Sequence, residues 1–167
     1  AKEVGVEIFS LSKGWNMTGW RAAVVAGNAE VVERYRHLKT NLDSGMFEAV
    51  QRATVAALTE SRDFPREMSE IYQRRRDLVA EALEAIGLPV QRPKATPYFW
   101  VRVPEGYTSE SFAGLVLEEA GVVVSPGPAY GPSGEGYFRI SLTVPDKQLE
   151  EAVGRIESSL RAGIIDA

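Results

Sequence analysis

The sequence predicts a mixed α/β fold, with helices packed in a layer against a β-sheet. Short apolar runs rich in valine, isoleucine and aromatic residues indicate strands, and longer segments with apolar residues at helical spacing indicate amphipathic helices. The two kinds of segment are interspersed along the chain, which is typical of α/β and α+β domains. The chain has 167 residues, of which 44% are hydrophobic and 25% charged, so it has the composition of a globular protein with a core.

The first part of the chain contains two predicted strands followed by two predicted helices. The apolar runs at residues 6–11 and 22–26 are each the length of a short buried strand. Asn28 is a good N-cap, and it predicts a helix from there to about residue 39. Residues 43–45, Asp-Ser-Gly, interrupt the pattern, and residues 46–59 resume helical spacing.

The longest periodic segment predicts one helix from about residue 65 to residue 86. Its apolar stripe ends at Gly87, a residue that commonly ends helices. Beyond it, short apolar runs predict strands at residues 98–103, 122–124 and 137–142. Helical patterns predict one helix from Thr108 or Ser109 to about residue 120 and a closing helix that Pro145 opens.

Charge and composition exclude several classes of function. There are 19 basic and 23 acidic side chains, a net charge of −4, which argues against a nucleic-acid or anionic-membrane partner. The chain has no cysteine and one histidine, His37, so thiolate metal sites and clusters of several histidines are excluded. We find no apolar run of transmembrane length and no signal-peptide layout, and we therefore expect a cytoplasmic protein without a bound metal or a membrane partner.

The beginning of the chain is unusual, because it opens directly on predicted strands. Strands need neighbours in a sheet, and the first two predicted strands lack an obvious set of partners. We therefore expect these residues to be the C-terminal part of a larger protein.

The segment SLSKGWNMTGWRAA, residues 10–23, places Lys13 between the first two predicted strands. A lysine in such a corner is suited to act as an amine nucleophile that forms a Schiff base with a carbonyl, which requires a pKa lowered by burial or by a nearby cation. Ser10 and Ser12 offer small hydroxyl groups for phosphate oxygens, and Arg21 offers a planar fork for the same anion. The alternative is an exposed lysine, with the arginine paired to a surface acid.

This segment resembles the lysine signature of the class I/II aminotransferases, which are fold-type-I enzymes that use pyridoxal 5′-phosphate. The resemblance implies that Lys13 forms the Schiff base with the cofactor and later moves a proton between the substrate and the cofactor. It also implies that Ser10 and Arg21 hold the cofactor phosphate, with Ser12 as a helper.

Two further segments are similar to the same family. SPGPAYGPSGEGYFRISL, residues 125–142, resembles the region whose arginine binds the substrate α-carboxylate, which implies that role for Arg139. The alternative is an arginine on the solvent side of an alternating strand. KTNLDSG, residues 39–45, resembles the segment that approaches the neighbouring subunit's active site in family dimers, which implies a substrate-binding role for Asn41. The alternative is a helix-breaking turn.

Several aromatic and glycine residues are expected near this site. Gly127 and Tyr130 are expected to shape the cavity beside the predicted carboxylate site. Tyr98, Phe99 and Trp100 lie in one predicted strand and either line the pocket or belong to the core.

The resemblance covers residues 1 to about 161. It implies that residues 1–64 form the end of the cofactor-binding large domain and that residues 65–167 form the small α+β domain, linked by the long helix at about 65–86. It also implies a homodimer that acts on amino acids and 2-oxo acids. The phrases GWNMTGWR and KTNLDSG are most similar to the branch containing LL-diaminopimelate and succinyldiaminopimelate aminotransferases, in lysine biosynthesis.

Other parts of the family's site lie upstream of the lysine. These are the aspartate at the pyridine nitrogen, the aromatic residue stacked on the ring, and the Asn and Tyr at O3′. We therefore expect these 167 residues alone to have little or no transaminase activity. Two alternatives stay open: a non-catalytic, aminotransferase-like effector-binding domain of a transcription regulator, and another fold-type-I enzyme such as a decarboxylase or synthase.

Overall fold

The computed structural model describes residues 2–160, and helices and strands are interspersed in it as predicted. The chain divides into two compact units, residues 1–69 and 70–167. The elements, in chain order, are β1 (Val6–Ser10), α1 (Leu11–Gly14), β2 (Ala23–Gly27), α2 (Ala29–Leu42), α3 (Glu48–Glu60), α4 (Phe64–Ala85), β3 (Tyr98–Arg102), α5 (Ser109–Ala120), β4 (Ser125–Pro126), β5 (Tyr137–Ser141) and α6 (Asp146–Leu160). The assignment of residues 1–64 and 65–167 to the family's two domains stays a prediction.

The first unit is built on an antiparallel pair of strands and two long helices. β1 pairs with β2 from Val6 opposite Gly27 to Ser10 opposite Ala23. The Asn28 side chain accepts a hydrogen bond from the backbone N–H of Val31, which confirms it as the N-cap of α2. A small apolar cluster surrounds Leu11, Ala22 and Ala57.

The prediction that the first two strands are buried is wrong for the described residues. All five residues of β1 are exposed, and β2 is exposed except at Val25. The apolar residues identified the strands correctly, but a two-stranded sheet cannot cover its own faces. Leu11 is fully buried and begins α1 instead of ending the strand, because the Ser10 hydroxyl accepts a hydrogen bond from the N–H of Ser12 and caps that turn.

The second unit has a three-stranded antiparallel sheet in the order β3-β5-β4. Side chains alternate across a strand, so Phe99 and Val101 of β3 and Phe138 of β5 enter the core. Apolar residues of α4, α5 and α6 complete that core. The predicted closing helix is confirmed as α6, and four of its apolar residues are buried: Leu149, Val153, Ile156 and Leu160.

One predicted strand is absent from the described residues. The run Val122-Val123-Val124 is not a strand, and β4 begins only at Ser125. The N–H of Val122 donates to Val116 O, and Gly121 adopts a left-handed conformation that ends α5. Val122 therefore belongs to the helix cap and Val124 is buried in the core, whereas Val123 is exposed.

The end of β5 and the start of α6 are tied to α4 by Arg75. Its Nη1 donates to Leu142 O at 2.9 Å, and its Nε pairs with the carboxylate of Asp146. The side chain of Arg75 is 15% exposed and that of Asp146 is 61% exposed, so solvent screens the ion pair from the carboxylate side. Among residues 2–160, no helix is both long and apolar enough to cross a membrane.

Candidate functional site

The residues predicted to hold a cofactor lie on the loop that joins β1 to β2. Because these strands are antiparallel, the loop leaves and re-enters the sheet at one end, where Ser10 pairs with Ala23. The N–H of Leu11 donates to Ala22 O at 3.3 Å and closes the base of the loop. Ser10 and Arg21 therefore flank this base from its two sides, and Lys13 lies in the helical turn α1.

Hydrogen bonds within the loop hold its backbone and side chains together. The Thr18 hydroxyl donates to Ser12 O at 3.0 Å, and Nη1 of Arg21 donates to Thr18 O at 3.0 Å. The indole Nε1 of Trp15 donates to Ser61 O at 3.1 Å, which ties the loop to the residue after α3. The loop is therefore an ordered platform.

Arg21 holds a left-handed backbone conformation, with φ 54°. A residue with a Cβ pays about 1–2 kcal/mol for that conformation, and such residues often occur at functional sites. The conformation returns the chain into β2 directly after a short 3-10 turn at Thr18–Trp20.

The sequence leaves two environments open for the Lys13 amine, burial or a nearby cation, and burial is not found in the described residues. Lys13, Ser10 and Arg21 are all exposed, because they lie at the end of a sheet whose faces are open. The chemistry of the donor set nevertheless fits a phosphorylated aldehyde: one primary amine, hydroxyl groups and a guanidinium belong to one closed loop. The cofactor-binding roles of Lys13, Ser10, Ser12 and Arg21 stay predictions.

Arg139 lies on the face of the second sheet that is opposite the core. It pairs in register with Trp100 of β3 on one side and with Ser125 of β4 on the other. Residues two apart on a strand share a face, so Tyr98, Trp100 and Tyr137 lie on the same face as Arg139. Phe99 points the other way and is fully buried in the core.

The guanidinium of Arg139 is packed against aromatic rings. Its Cζ lies 4.2 Å from the ring centre of Tyr98 and 4.1 Å from that of Tyr130. Both distances are within the range of a cation–π contact. Its Nε is buried and has no hydrogen-bond partner among the described residues. A buried unsatisfied donor is costly. The guanidinium also lines an open cavity, and a planar carboxylate is the ligand that matches its fork of N–H groups.

A second pair of aromatic contacts supports this arrangement. Trp100 lies edge-on to Tyr130 at 5.8 Å and stacks on Tyr137 at 5.7 Å, measured between ring centres. The same face borders an open cavity of about 640 Å³, whose lining includes Arg92, Lys94, Thr96, Tyr98, Trp100 and Arg139. The sequence predicts Tyr130 near a cavity and leaves Trp100 open between the pocket and the core. Their contacts depend on a strand register that the sequence does not reveal.

Asn41 does not lie in a turn. α2 continues to Leu42, three residues beyond the predicted end, and Asn41 belongs to its last turn. Its side-chain Nδ2 donates to His37 O at 2.7 Å, so the amide is used within the helix. The predicted substrate-binding role of Asn41 is untested and stays a prediction.

Within residues 2–160, no group of three or more histidine, aspartate or glutamate side chains is arranged to hold a metal ion. The second unit also has an apolar cavity of about 490 Å³ between α4, α6 and the residues that follow α5.

Comparisons with known proteins agree on one group of relatives. The family model described as aminotransferase class I and II matches residues 3–156. The chain is 54% identical over 156 residues to an LL-diaminopimelate aminotransferase of Dehalococcoides mccartyi, an alignment that covers 93% of this chain and 40% of that protein. A second LL-diaminopimelate aminotransferase, from Moorella thermoacetica, is 49% identical over 160 residues, or 96% of this chain and 41% of that protein.

Solved structures show the same fold. The aromatic aminotransferase of Pyrococcus horikoshii superposes with a TM-score of 0.87 at 37% identity, over 96% of this chain and 44% of that one. A Thermus thermophilus protein described as a probable N-succinyldiaminopimelate aminotransferase gives a TM-score of 0.85 at 38% identity, over 96% and 43% of the two chains. The chain thus spans about 40% of the length of the curated relatives it matches.

Proposed function

Because the chain belongs to the class I and II aminotransferase family, we propose that the protein transfers an amino group from an amino acid to a 2-oxo acid with pyridoxal 5′-phosphate. The observation that supports this best is the closed loop at residues 11–22, which combines Lys13 and Arg21 in a chain 54% identical to an LL-diaminopimelate aminotransferase. We infer further that the donor is LL-diaminopimelate or a related amino acid of lysine biosynthesis, as the relatives' names suggest.

The loop residues divide the task of holding the cofactor. The Lys13 amine would condense with the aldehyde carbon with loss of water, and Ser10 and Arg21 would hold the phosphate from the two sides of the loop base, with Ser12 as a helper. When bound, the cofactor supplies an electron sink for the bond that breaks at the substrate α-carbon. The substrate amine would take the place of Lys13 on the aldehyde carbon. The freed Nζ of Lys13 would then move the proton from the substrate α-carbon to the cofactor carbon that carried the aldehyde, acting first as general base and then as general acid.

Arg139 is assigned to the substrate carboxylate. A guanidinium forms two parallel hydrogen bonds with a carboxylate, and this fixes both the position and the plane of the amino acid. The guanidinium of Arg139 lines an open cavity and contacts the rings of Tyr98 and Tyr130, and this placement supports the assignment. We propose that the protein acts as a homodimer and that Asn41 contributes to substrate binding in it.

The proposal is tested by finding which lysine bonds to the cofactor. The intact protein, loaded with pyridoxal 5′-phosphate, is reduced with borohydride and digested, and the peptides are mapped by mass spectrometry. We expect a pyridoxyl group on Lys13. Lys13→Arg should abolish the adduct, and Lys147→Arg, a change at an exposed position of α6, should retain it.

Two results would contradict the proposal. A pyridoxyl group on another lysine, or on none, removes the role of Lys13. An adduct on Lys13 without turnover of any amino acid in a panel that includes LL-diaminopimelate would favour the effector-binding alternative.

A further inference from the structure

Two tyrosine rings contact the charged group of Arg139, and they come from different parts of the second unit. Tyr98 belongs to β3, and Tyr130 ends the short 3-10 turn at Gly127–Tyr130. The two ring centres lie 4.2 and 4.1 Å from Cζ of Arg139. We call Tyr98 and Tyr130 the aromatic clamp.

The rings of Tyr98 and Tyr130 are the contacts that hold the guanidinium of Arg139 in place near its Nε. A free arginine side chain samples many rotamers, and ordering it on binding opposes affinity. The Nε of Arg139 is buried but makes no hydrogen bond to the described residues, so no acceptor orients that side of the fork. The rings therefore have to set the plane in which the N–H groups point.

The clamp is supported from behind by Trp100. Trp100 lies directly across the sheet from Arg139 and touches Tyr130 edge-to-face at 5.8 Å. Its other contact, the stack on Tyr137 at 5.7 Å, holds the indole on the same face. Tyr130 therefore has a fixed partner on one side and the guanidinium on the other.

Ordinary core packing does not account for these rings. Tyr130 is 48% exposed and Trp100 is 42% exposed, although large aromatic residues that serve the core, such as Phe99 and Phe138, are at most 2% exposed. Exposed rings that meet at one arginine beside an open cavity indicate a role at that arginine.

We propose that Tyr98 and Tyr130 are positioning residues that hold the plane of the Arg139 guanidinium for a carboxylate ligand. This inference rests on the proposed function, in which Arg139 binds the substrate carboxylate. Stacking uses the ring faces and does not need the hydroxyl groups. Phenylalanine should therefore replace tyrosine at either position, and an aliphatic residue of similar size should not.

The experiment compares Tyr98→Phe, Tyr98→Leu, Tyr130→Phe and Tyr130→Leu in the intact, cofactor-loaded protein. We expect each leucine variant to raise KM for the amino acid about 3- to 30-fold, the range that corresponds to one cation–π contact. The phenylalanine variants should recover most of that loss. Tyr107→Leu is the matched control, because Tyr107 packs on Phe112, away from Arg139, so its loss should lower stability without raising KM.

A second readout reports on Arg139 without turnover. In the protein labelled with ¹⁵N-arginine, the Nε–H signal of Arg139, assigned by its loss in Arg139→Lys, should be displaced by ring currents and should shift further with added propionate. The leucine variants should move it toward the position of a free arginine. If they leave both KM and this signal unchanged, or if phenylalanine is as harmful as leucine, the positioning role is overturned.

Failure of the inference and failure of the proposed function are distinguishable. If Arg139→Ala leaves carboxylate binding intact, Arg139 is not the carboxylate site, and that part of the proposed function fails. If Arg139→Ala abolishes binding and the tyrosine variants have no effect, only the positioning role fails.

Discussion

Asp43 accepts a hydrogen bond from the ammonium group of Lys39 at the point where α2 ends, one helical turn beyond that lysine. The backbone N–H of Gly45 donates to the same carboxylate at 3.0 Å. The Lys39 bond and then the Gly45 bond hold the pKa of Asp43 below its ordinary value, and the Asp43 bond raises the pKa of Lys39. The residues that resemble the family's dimer segment thus form a charged end to the helix.

The carboxylate of Asp43 should titrate below its ordinary pKa near 3.8. A lowered pKa in the folded state adds stability above the unfolded value, and this stability is lost as pH falls through the folded pKa. The raised pKa of Lys39 has the opposite sign: its contribution is present below the unfolded pKa near 10.5 and is lost as pH rises through the folded one. The pair therefore contributes between these limits, and salt weakens it because both groups are exposed.

NMR titration of the Asp43 carboxyl carbon checks this expectation. Lys39→Met should raise the pKa of Asp43 but leave it slightly low, since the Gly45 bond remains. Lys147→Met, a change in a distant helix, should have no effect. A midpoint for Asp43 at or above 3.8 in the unchanged protein would refute the assignment.

At this same scale, the residue types of the site were predictable and their environment was not. The spacing of Lys13 and Arg21 carries the family signature, and the chemistry of each side chain follows from its type. The exposure of Lys13 depends on what covers the end of β1 and β2, which is a property of the whole fold. The stacking of Tyr98 and Tyr130 on Arg139 likewise requires the pairing of β3 with β5.

Among the elements, the turn that carries Tyr130 is closed by two glycines in direct contact. A Cβ on Gly134 would lie 2.1 Å from Gly127 O, and a Cβ on Gly127 would lie 1.9 Å from Gly134 O. Beside them, the hydroxyl of fully buried Ser109 accepts from the N–H of Tyr137 at 3.1 Å, and Glu135 accepts from the N–H of Ser109 at the start of α5. Close backbone packing therefore places this part of the aromatic clamp.

Gly134→Ala should destabilise the protein by about 1–3 kcal/mol, because the methyl group meets backbone that cannot move aside easily. Gly114→Ala is the matched control: Gly114 lies within α5 with nothing within 4 Å of its Cβ position, so alanine should be neutral or stabilising by up to about 1 kcal/mol. Urea unfolding of the intact protein measures both. Equal stability of the two variants would show that the contact between the glycines is not tight.

Element types followed from periodicity, and the errors have local causes. The five longer helices, α2 to α6, were predicted within a few residues of their bounds, because their apolar stripes and caps are local signals, whereas the single turn α1 was not predicted. The run at residues 122–124 is predicted as a strand because valine favours strands, but the N–H of Val122 caps α5 and Val123 is exposed. α2 passed its predicted end because Thr40 and Asn41 bond back to His37 O and are accommodated in the last turn.

For the whole molecule, the predicted family and fold type are confirmed by the family match and the superposed structures. The first unit nevertheless presents apolar side chains on its strands to solvent, including Ile8, Phe9 and Val24. Exposed patches of this kind mark surfaces that contact other protein. The chain matches about 40% of its relatives' length. Its sequence therefore predicts the fold of this part, but not which other residues cover the exposed strands.

These 167 residues alone should show little or no transaminase activity. The loop with Lys13 is exposed in them, and water competes for a charged cofactor at an open site. The measurement is amino-group transfer by the 167-residue chain, checked for folding by circular dichroism, with the intact protein as the positive control. Turnover by the short chain within about tenfold of the intact protein, a difference of about 1.4 kcal/mol, would contradict this expectation.

The register of β5 has a consequence for how the sheet assembles. Phe138 enters the core and Arg139 leaves it, so a slip of one residue against β3 would drive a cation into hydrocarbon and expel a large ring into water. A shifted register is therefore destabilised at two adjacent residues, Phe138 and Arg139. Arg139, which we assign to the substrate carboxylate, therefore also favours the correct register of β5 while the sheet forms.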